Sequence, residues 1–195
     1  MFGSLSFLVS LQFISTTMFD GFKRRVGSRI IKKQLAHVTC KRRFHNLSSA
    51  KSIGLLYLYS DATEREIDSF MRFLAKKGIK VTALAYIAET SAPLLFRVAD
   101  NKKMFCKTQT NWFGKPHADE VDSFIKTPFD ILIDFNQSKN YSLQYIAASS
   151  HAAMRVGRLA YNNNPYEFII SMPANAADDA YIRQVEQYLQ TIQIA

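Results

Sequence analysis

The sequence predicts a single three-layer α/β domain with a mostly parallel sheet of about five or six strands, preceded by a basic amphipathic helix. One reason is the order strand, helix, strand over residues 53–87, because such a crossover requires a parallel pair. Another is the apolar run at 129–135, which is typical of a strand covered on both faces. The third is size. A chain of 195 residues, 48% of them hydrophobic, can bury the core of one ordinary domain plus an extension.

The α/β domain is predicted over residues 52–195 and opens with a buried strand at 53–59. A second strand is predicted at 80–87 and a short one near 104–107. The run at 129–135 is expected to lie at the centre of the sheet, because it is apolar on both sides.

The first helix of the domain is predicted over about 62–77. Asp61 and Glu64 have the spacing of an N-cap and its reciprocal partner. Gly78 is expected to end the helix, since glycine accepts the left-handed backbone that follows a helix.

The predicted central strand has two apolar faces and acidic residues near its ends. Leu132 is expected on one face, and Asp134 at an end that solvent or a ligand can reach. The residues expected on the opposite face are Phe129, Ile131, Ile133 and Phe135.

A turn is predicted at 112–116, followed by a helix over 117–126. Gly114 would make the turn and Pro116 would start the helix. We expect Trp112 to pack over the end of the sheet, and the alternative is an exposed stacking surface.

The last part of the chain is predicted to hold a helix at 141–152, strands at 154–158 and 166–172, and a helix at 176–192. The connection at 159–165 is too short for a helical crossover, so an antiparallel edge strand is expected. The inward residues of the last helix are predicted to be Ile182, Val185, Tyr188, Leu189 and Ile192.

Positive charge is concentrated before the domain. Residues 21–51 hold ten of the 25 Lys and Arg and no Asp or Glu, so the net charge of +9 belongs to this segment. Apolar residues recur at helical spacing over 18–38, which predicts an amphipathic helix with a cationic coat. The candidate RNA- or phosphate-binding residues are Lys23, Arg24, Arg25, Arg29, Lys32, Lys33, Lys41, Arg42 and Arg43.

These features favour a non-enzymatic binding module that contacts RNA and is associated with the ribosome, because a surface for a phosphate backbone combines many cations without acids. The alternative is a peripheral membrane protein that places the same helix on anionic lipid. The apolar residues 1–17 either precede a natural start at Met18 or form a marginal anchor. Two distant cysteines, Cys40 and Cys106, suit a reducing compartment, so we expect a cytoplasmic location.

A third hypothesis is a small-ligand or metal-dependent enzyme. Ligands of open parallel sheets bind beyond the carboxyl ends of the strands. The candidate rim residues there are Asp61, Glu89, Asp134 and Asn136. No residue is assigned a catalytic role.

No cofactor or metal site is predicted. Gly78, Gly114 and Gly157 are isolated, so the chain has no phosphate-binding glycine loop. Three possible zinc ligands are close in sequence but lack the paired spacing of a structural site. They are His37, Cys40 and His45.

The basic helix and the motifs SIGLLY, NWFGKP, PFDILIDFN, MRVGR and YIRQVEQYLQTI resemble a family of uncharacterised bacterial proteins, described only as a domain of unknown function. The resemblance spans about residues 18–193 and implies an α/β fold without an assigned activity. More weakly, DILIDFN through RVGR looks like one strand–helix–strand unit of heptosyltransferase-type glycosyltransferases, a likeness generic to α/β units.

Overall fold

The computed structural model describes residues 25–37, 42–91, 93, 96, 98–160, 163–173 and 176–192. Its strands are β1 (Ser52–Leu58), β2 (Lys80–Ile87), β3 (Lys102–Cys106), β4 (Ile131–Asp134), β5 (Met154–Gly157) and β6 (Phe168–Ile169). Its helices are α1 over residues 25–37, α2 (Asp61–Lys76), α3 (Asp119–Lys126), α4 (Tyr141–Ser149) and α5 (Asp178–Thr191). The remainder of the helix predicted at 18–38, and the segment 1–17, lie outside the described residues.

The strands form one sheet in the order β3-β2-β1-β4-β5-β6, and every neighbouring pair is parallel. The predicted α/β class and the central position of β4 are confirmed. In the central pair, Ile53 lies opposite Ile131 and Leu56 opposite Asp134.

The predicted antiparallel edge strand is wrong, because β6 runs parallel to β5 and is only two residues long. The segment that joins β5 to β6 contains no described helix. It reaches the start of β6 by passing close over the end of β5. A Cβ on Gly157 would come within 2.2 Å of the Tyr166 ring, so glycine at this position leaves room for the return.

Two apolar cores lie on opposite faces of the sheet. One is formed with α2 and α5, and the other with α3 and α4. Ile131, Ile133 and Phe135 enter the first core, whereas Leu132 enters the second. Phe129 also belongs to the second core, 4.9 Å from the Phe124 ring, so its predicted face is wrong. Because β4 begins only at Ile131, strand alternation does not extend back to Phe129.

The two ends of α2 are set by a capping serine and a glycine. Ser60, rather than Asp61, is the N-cap of α2, and its hydroxyl accepts the Thr63 N–H at 3.1 Å. Glu64 therefore does not complete a capping box, and instead turns inward to accept the Tyr57 hydroxyl at 2.6 Å. Gly78, at φ 78°, follows α2 as predicted.

The segment before β1 is part of the packed structure. Leu47 and Ala50 are 7% and 6% exposed and belong to the first core. The Leu47 N–H donates to the Leu189 carbonyl of α5 at 2.9 Å, and the Arg43 N–H donates to the Ala153 carbonyl at 3.2 Å. The packed core thus begins upstream of Ser52.

Helix α4 is buried on all sides from Ser142 to Ser149. A helix on one face of a sheet normally exposes its outer side, so another element must cover it. Helix α1 contributes to this cover, because Gly27 packs on Tyr141 at the beginning of α4. In α1, Ile31 is only 4% exposed.

Candidate functional site

The outer side of α1 carries a cationic face, which we define as Arg25, Arg29, Lys32 and Lys33. All four residues are exposed. They are separated by four, three and one residues in sequence, which places them on one side of a helix with 3.6 residues per turn. The buried residues Gly27 and Ile31 fall on the opposite side. Packing of that side against the domain consequently turns the cationic face to solvent.

The charges of this face are not compensated by acidic side chains in the part of the chain that the structure describes. None of its four residues forms an ion pair within the described part of the chain. Arg155 of β5 and Arg158, which directly follows β5, differ from these four residues. Both are buried, and they pair with Glu167 and Asp178 respectively. The cationic face therefore presents a positive potential to solvent.

The other predicted phosphate-binding residues fall into three groups. Lys23, Arg24 and Lys41 lie outside the described residues. Arg43 is exposed. Arg42 is held by the domain, because its Nη1 donates to the Ala152 carbonyl at 2.9 Å and its Nε lies 3.3 Å from Glu167.

Two aromatic side chains of the described residues are more than half exposed: Phe44 is 54% exposed and Trp112 is 55% exposed. The predicted packing of Trp112 over the sheet is therefore wrong. Its neighbour Phe113 takes the inward position, with its ring 5.9 Å from the Tyr141 ring. The turn is made as predicted by Gly114, at φ 92°.

Pro116 does not start a helix, because α3 begins at Asp119. It instead forms an antiparallel bridge with Thr110, which closes the loop that carries Trp112. Pro116 is buried in this bridge, so the loop is anchored on both sides of the exposed indole.

Tyr141 joins α1 to the loop that carries Trp112. Gly27 lies against one part of its ring, and Phe113 packs edge-on against the ring at 63°. The hydroxyl of Tyr141 is buried without a hydrogen-bond partner in the described part of the chain, and burial raises the pKa of Tyr141 to about 12. The contact with α1 is thus made by the ring.

The predicted rim residues have different environments. Asp134 is 1% exposed, so the expectation that solvent reaches it is wrong. Its carboxylate accepts the Tyr166 hydroxyl at 2.6 Å and the Asn136 N–H at 2.9 Å, and burial raises the pKa of Asp134 to about 6. Asp61 accepts the Tyr59 hydroxyl at 2.7 Å, and Glu89 is exposed.

Among the described residues, no group of three or more His, Cys, Asp or Glu is arranged to hold a metal ion. Of the three possible zinc ligands, His37 is exposed, and His45 lies 3.9 Å from Asp130. Cys40 lies outside the described residues.

The carboxyl ends of β1 and β4 flank a crevice where the chain leaves neighbouring strands toward opposite faces of the sheet. This is where open α/β sheets commonly bind ligands. An open groove of about 370 Å³ adjoins a cavity of about 130 Å³ there. Sequence reasoning missed the residue at its centre, Asp178. It accepts hydrogen bonds from Thr63 at 2.7 Å, Gln137 at 2.8 Å and Arg158 at 2.6 Å.

No helix in the described part of the chain combines the length and apolar character needed to cross a membrane.

One solved structure that is similar to part of this chain is the glycosyl transferase family 9 protein from Veillonella parvula DSM 2008, at 14% sequence identity and a TM-score of 0.46. The match covers 73% of this chain and 42% of that protein. No curated protein matches the sequence. A family model matches residues 23–192, which include α1 and every described helix and strand of the α/β domain. The chain therefore belongs to DUF6913, a family of unknown function.

Proposed function

We propose that the protein is an RNA-binding module and that the cationic face of α1 is its contact surface. The observation that carries the proposal is the division of α1 into two sides. Gly27 and Ile31 are buried, whereas the four cations are exposed and lack ion-pair partners within the described residues. Arg and Lys side chains arranged in this way neutralise successive phosphates and release counterions.

Packing of α1 favours RNA over a lipid surface. A helix that lies in a membrane interface inserts its apolar side among the lipids. In this protein that side is occupied, since Ile31 is 4% exposed and Gly27 contacts Tyr141. The cationic side remains available, and its fixed backbone lowers the entropy lost on binding. Ribosomal RNA is the cellular target that we expect.

The test is binding of labelled RNA to the full chain, measured by fluorescence anisotropy at several salt concentrations. In one variant, the four residues of the cationic face are changed to Gln. If all four contact phosphates of a single strand, the slope of log affinity against log salt should become shallower by about 3.

A control with the same change in net charge shows whether position matters. Four exposed cations elsewhere, Arg72, Lys76, Lys80 and Lys126, are changed to Gln. This variant should keep most of the affinity and the wild-type slope. Equal losses in both variants would mean that net charge, rather than α1, governs binding. Cosedimentation with anionic liposomes but not ribosomes would support the membrane alternative instead.

A second candidate function is binding of a small polar ligand in the strand-end crevice. It is favoured by the groove of about 370 Å³ beside the hydroxyl and amide groups of Ser60, Thr63 and Gln137. The test is a thermal-shift screen with nucleotides, sugars and metal ions. A specific ligand should raise the melting temperature of the wild type and not of Gln137→Ala.

A further inference from the structure

The exposed indole of Trp112 lies beside the beginning of α1. The Gly27 backbone packs on the Tyr141 ring, the Phe113 ring lies 5.9 Å from that ring, and the Trp112 ring lies 5.0 Å from Phe113. These contacts form one continuous path from α1 to the indole. Lys115, in the same loop, has its ammonium 5.4 Å from the Tyr145 ring centre, so a cation accompanies this aromatic group.

The exposed residue Phe44 follows a segment that is bound next to the other end of α4. Arg42 and Arg43 bind the carbonyls of Ala152 and Ala153, which follow the last turn of α4. Tyr141, in contrast, is the first residue of α4. Phe44 and Trp112 are therefore associated with opposite ends of α4, and exposed Arg43 directly precedes Phe44.

The length of α1 suits a short stretch of nucleic acid. Thirteen helical residues of α1 extend about 20 Å, at about 1.5 Å per residue. This is the length of roughly six stacked nucleotides at about 3.4 Å each. A strand of this length that begins at the Trp112 indole can extend along the cationic face, and Phe44 is the exposed aromatic residue that we assign to its far end.

Exposed aromatic rings next to cations are suited to stack on unpaired bases. In an A-form duplex the bases stack on one another, so a protein ring gains access mainly to bases in loops, bulges and single strands. Proteins that bind single strands combine a cationic track with aromatic stacking groups. Phe44 and Trp112 are two of the four exposed large hydrophobic residues in the described part of the chain, the others being Val98 and Tyr188.

We infer that the α1 surface selects single-stranded RNA, with Phe44 and Trp112 stacking on unpaired bases while the cationic face binds the phosphates between them. This inference rests on the proposed function and adds the class of RNA. It assigns affinity for phosphates to the cations and discrimination against duplexes to the two aromatic rings.

Trp112 is the single tryptophan of the chain and provides a direct readout. The full protein is titrated with an unstructured RNA of twelve nucleotides and with a duplex of the same length. Stacking should quench the Trp112 fluorescence with the single strand and leave it unchanged with the duplex. Binding of the single strand without any change in Trp112 fluorescence would overturn the assignment of Trp112.

Affinity measurements with a double variant separate stacking from charge. Phe44→Ala/Trp112→Ala should weaken single-strand binding by roughly thirty-fold or more, because two base stacks are lost, and leave the salt slope and duplex affinity unchanged. Trp112→Phe should retain most of the affinity, because it keeps an aromatic ring. The matched control is Tyr188→Ala, which should have no effect. Tyr188 was predicted to face inward, but it is exposed on α5, so this variant removes an exposed ring.

The outcomes distinguish this inference from the proposed function. Equal affinity for single strand and duplex, with the Gln variant of the cationic face impaired for both, would overturn strand selection and keep the RNA proposal. Absence of RNA binding by the wild-type chain would overturn both. Circular dichroism of every variant establishes that a lost affinity does not come from unfolding.

Discussion

Gly27 of α1 lies directly on the aromatic ring of Tyr141, and a Cβ at position 27 would come within 2.6 Å of that ring. Glycine is a poor helix former, so its presence inside α1 costs roughly 1 kcal/mol relative to alanine. The absence of a side chain is what permits the close approach of α1 to α4. Position 27 therefore determines how the cationic face is held.

We predict that Gly27→Val destabilises the protein by about 1–3 kcal/mol, because the added side chain must displace either α1 or the ring. Urea unfolding measures the loss. Ser28→Val is the control, since position 28 is exposed and has the same helix context. Equal losses in the two variants would show that the Gly27–Tyr141 contact contributes little.

Removing the segment before β1 should impair folding. A protein that starts at Ser52 lacks the buried Leu47, worth about 1.5–3 kcal/mol, and its hydrogen bond to α5. It also exposes the outer side of α4. We expect aggregation or a much lower melting temperature, and an intermediate result for a protein that starts at Arg42. A Ser52 protein as stable as the full chain would contradict the observed packing.

The buried Asp134 should make stability depend on pH. Burial raises the pKa of its carboxyl from 3.8 to about 6, so the folded state holds this proton more tightly than the unfolded state. The ionised form therefore destabilises the fold. This cost is absent below about pH 4, grows as the pH rises to 6, and reaches about 3 kcal/mol above that.

Asp134→Asn should remove the pH-dependent cost, because an amide can accept the Asn136 N–H and donate to the Tyr166 hydroxyl. The stability of this variant minus that of the wild type should increase by up to about 3 kcal/mol between pH 4 and 7. Chemical unfolding across this range gives the difference. The exposed Asp122→Asn variant serves as a control and should show no such increase. A difference that is independent of pH would refute the prediction.

The ion pairs of Lys102 link the edge strand β3 to α2. Lys102 is 6% exposed and contacts both Glu64 and Asp68. Lys102→Met should cost about 3–5 kcal/mol, since it leaves the buried Glu64 carboxylate without its cation. Lys103→Met, one position along the same strand, should cost much less. Adding Glu64→Gln to the Lys102 variant should restore part of the stability, as a double-mutant cycle can measure.

Local sequence patterns predicted the bounds of helices and strands better than they predicted which side chains are buried. The strand at 80–87 was predicted with its observed bounds, because its apolar run and flanking residues define it without reference to the rest of the chain. Trp112 and Phe113 are adjacent aromatic residues, and which of them turns inward depends on Tyr141. The burial of Asp134 likewise requires the Tyr166 side chain, which comes from a distant connection. Neither outcome has a signal in local sequence.

Dependence on distant residues also limited the prediction of the candidate interface. Charge counting identified the basic segment, and helical spacing separated its apolar and cationic sides. Charge counting treated Arg42 like the other cations, whereas the structure engages it with Ala152 and Glu167. The role of Asp178 also escaped prediction, since its three hydrogen-bond donors come from three separate parts of the chain.

The position of α1 on α4 has a consequence for biosynthesis. Helix α1 is translated early, yet the contacts that hold it in place come late. Arg42 and its acceptor Ala152 are 110 residues apart. Such distant contacts cannot form until both partners have emerged, and they slow folding. While the rest of the chain is being made, the apolar side of α1 remains uncovered, and transiently exposed apolar surface of this kind is prone to aggregation.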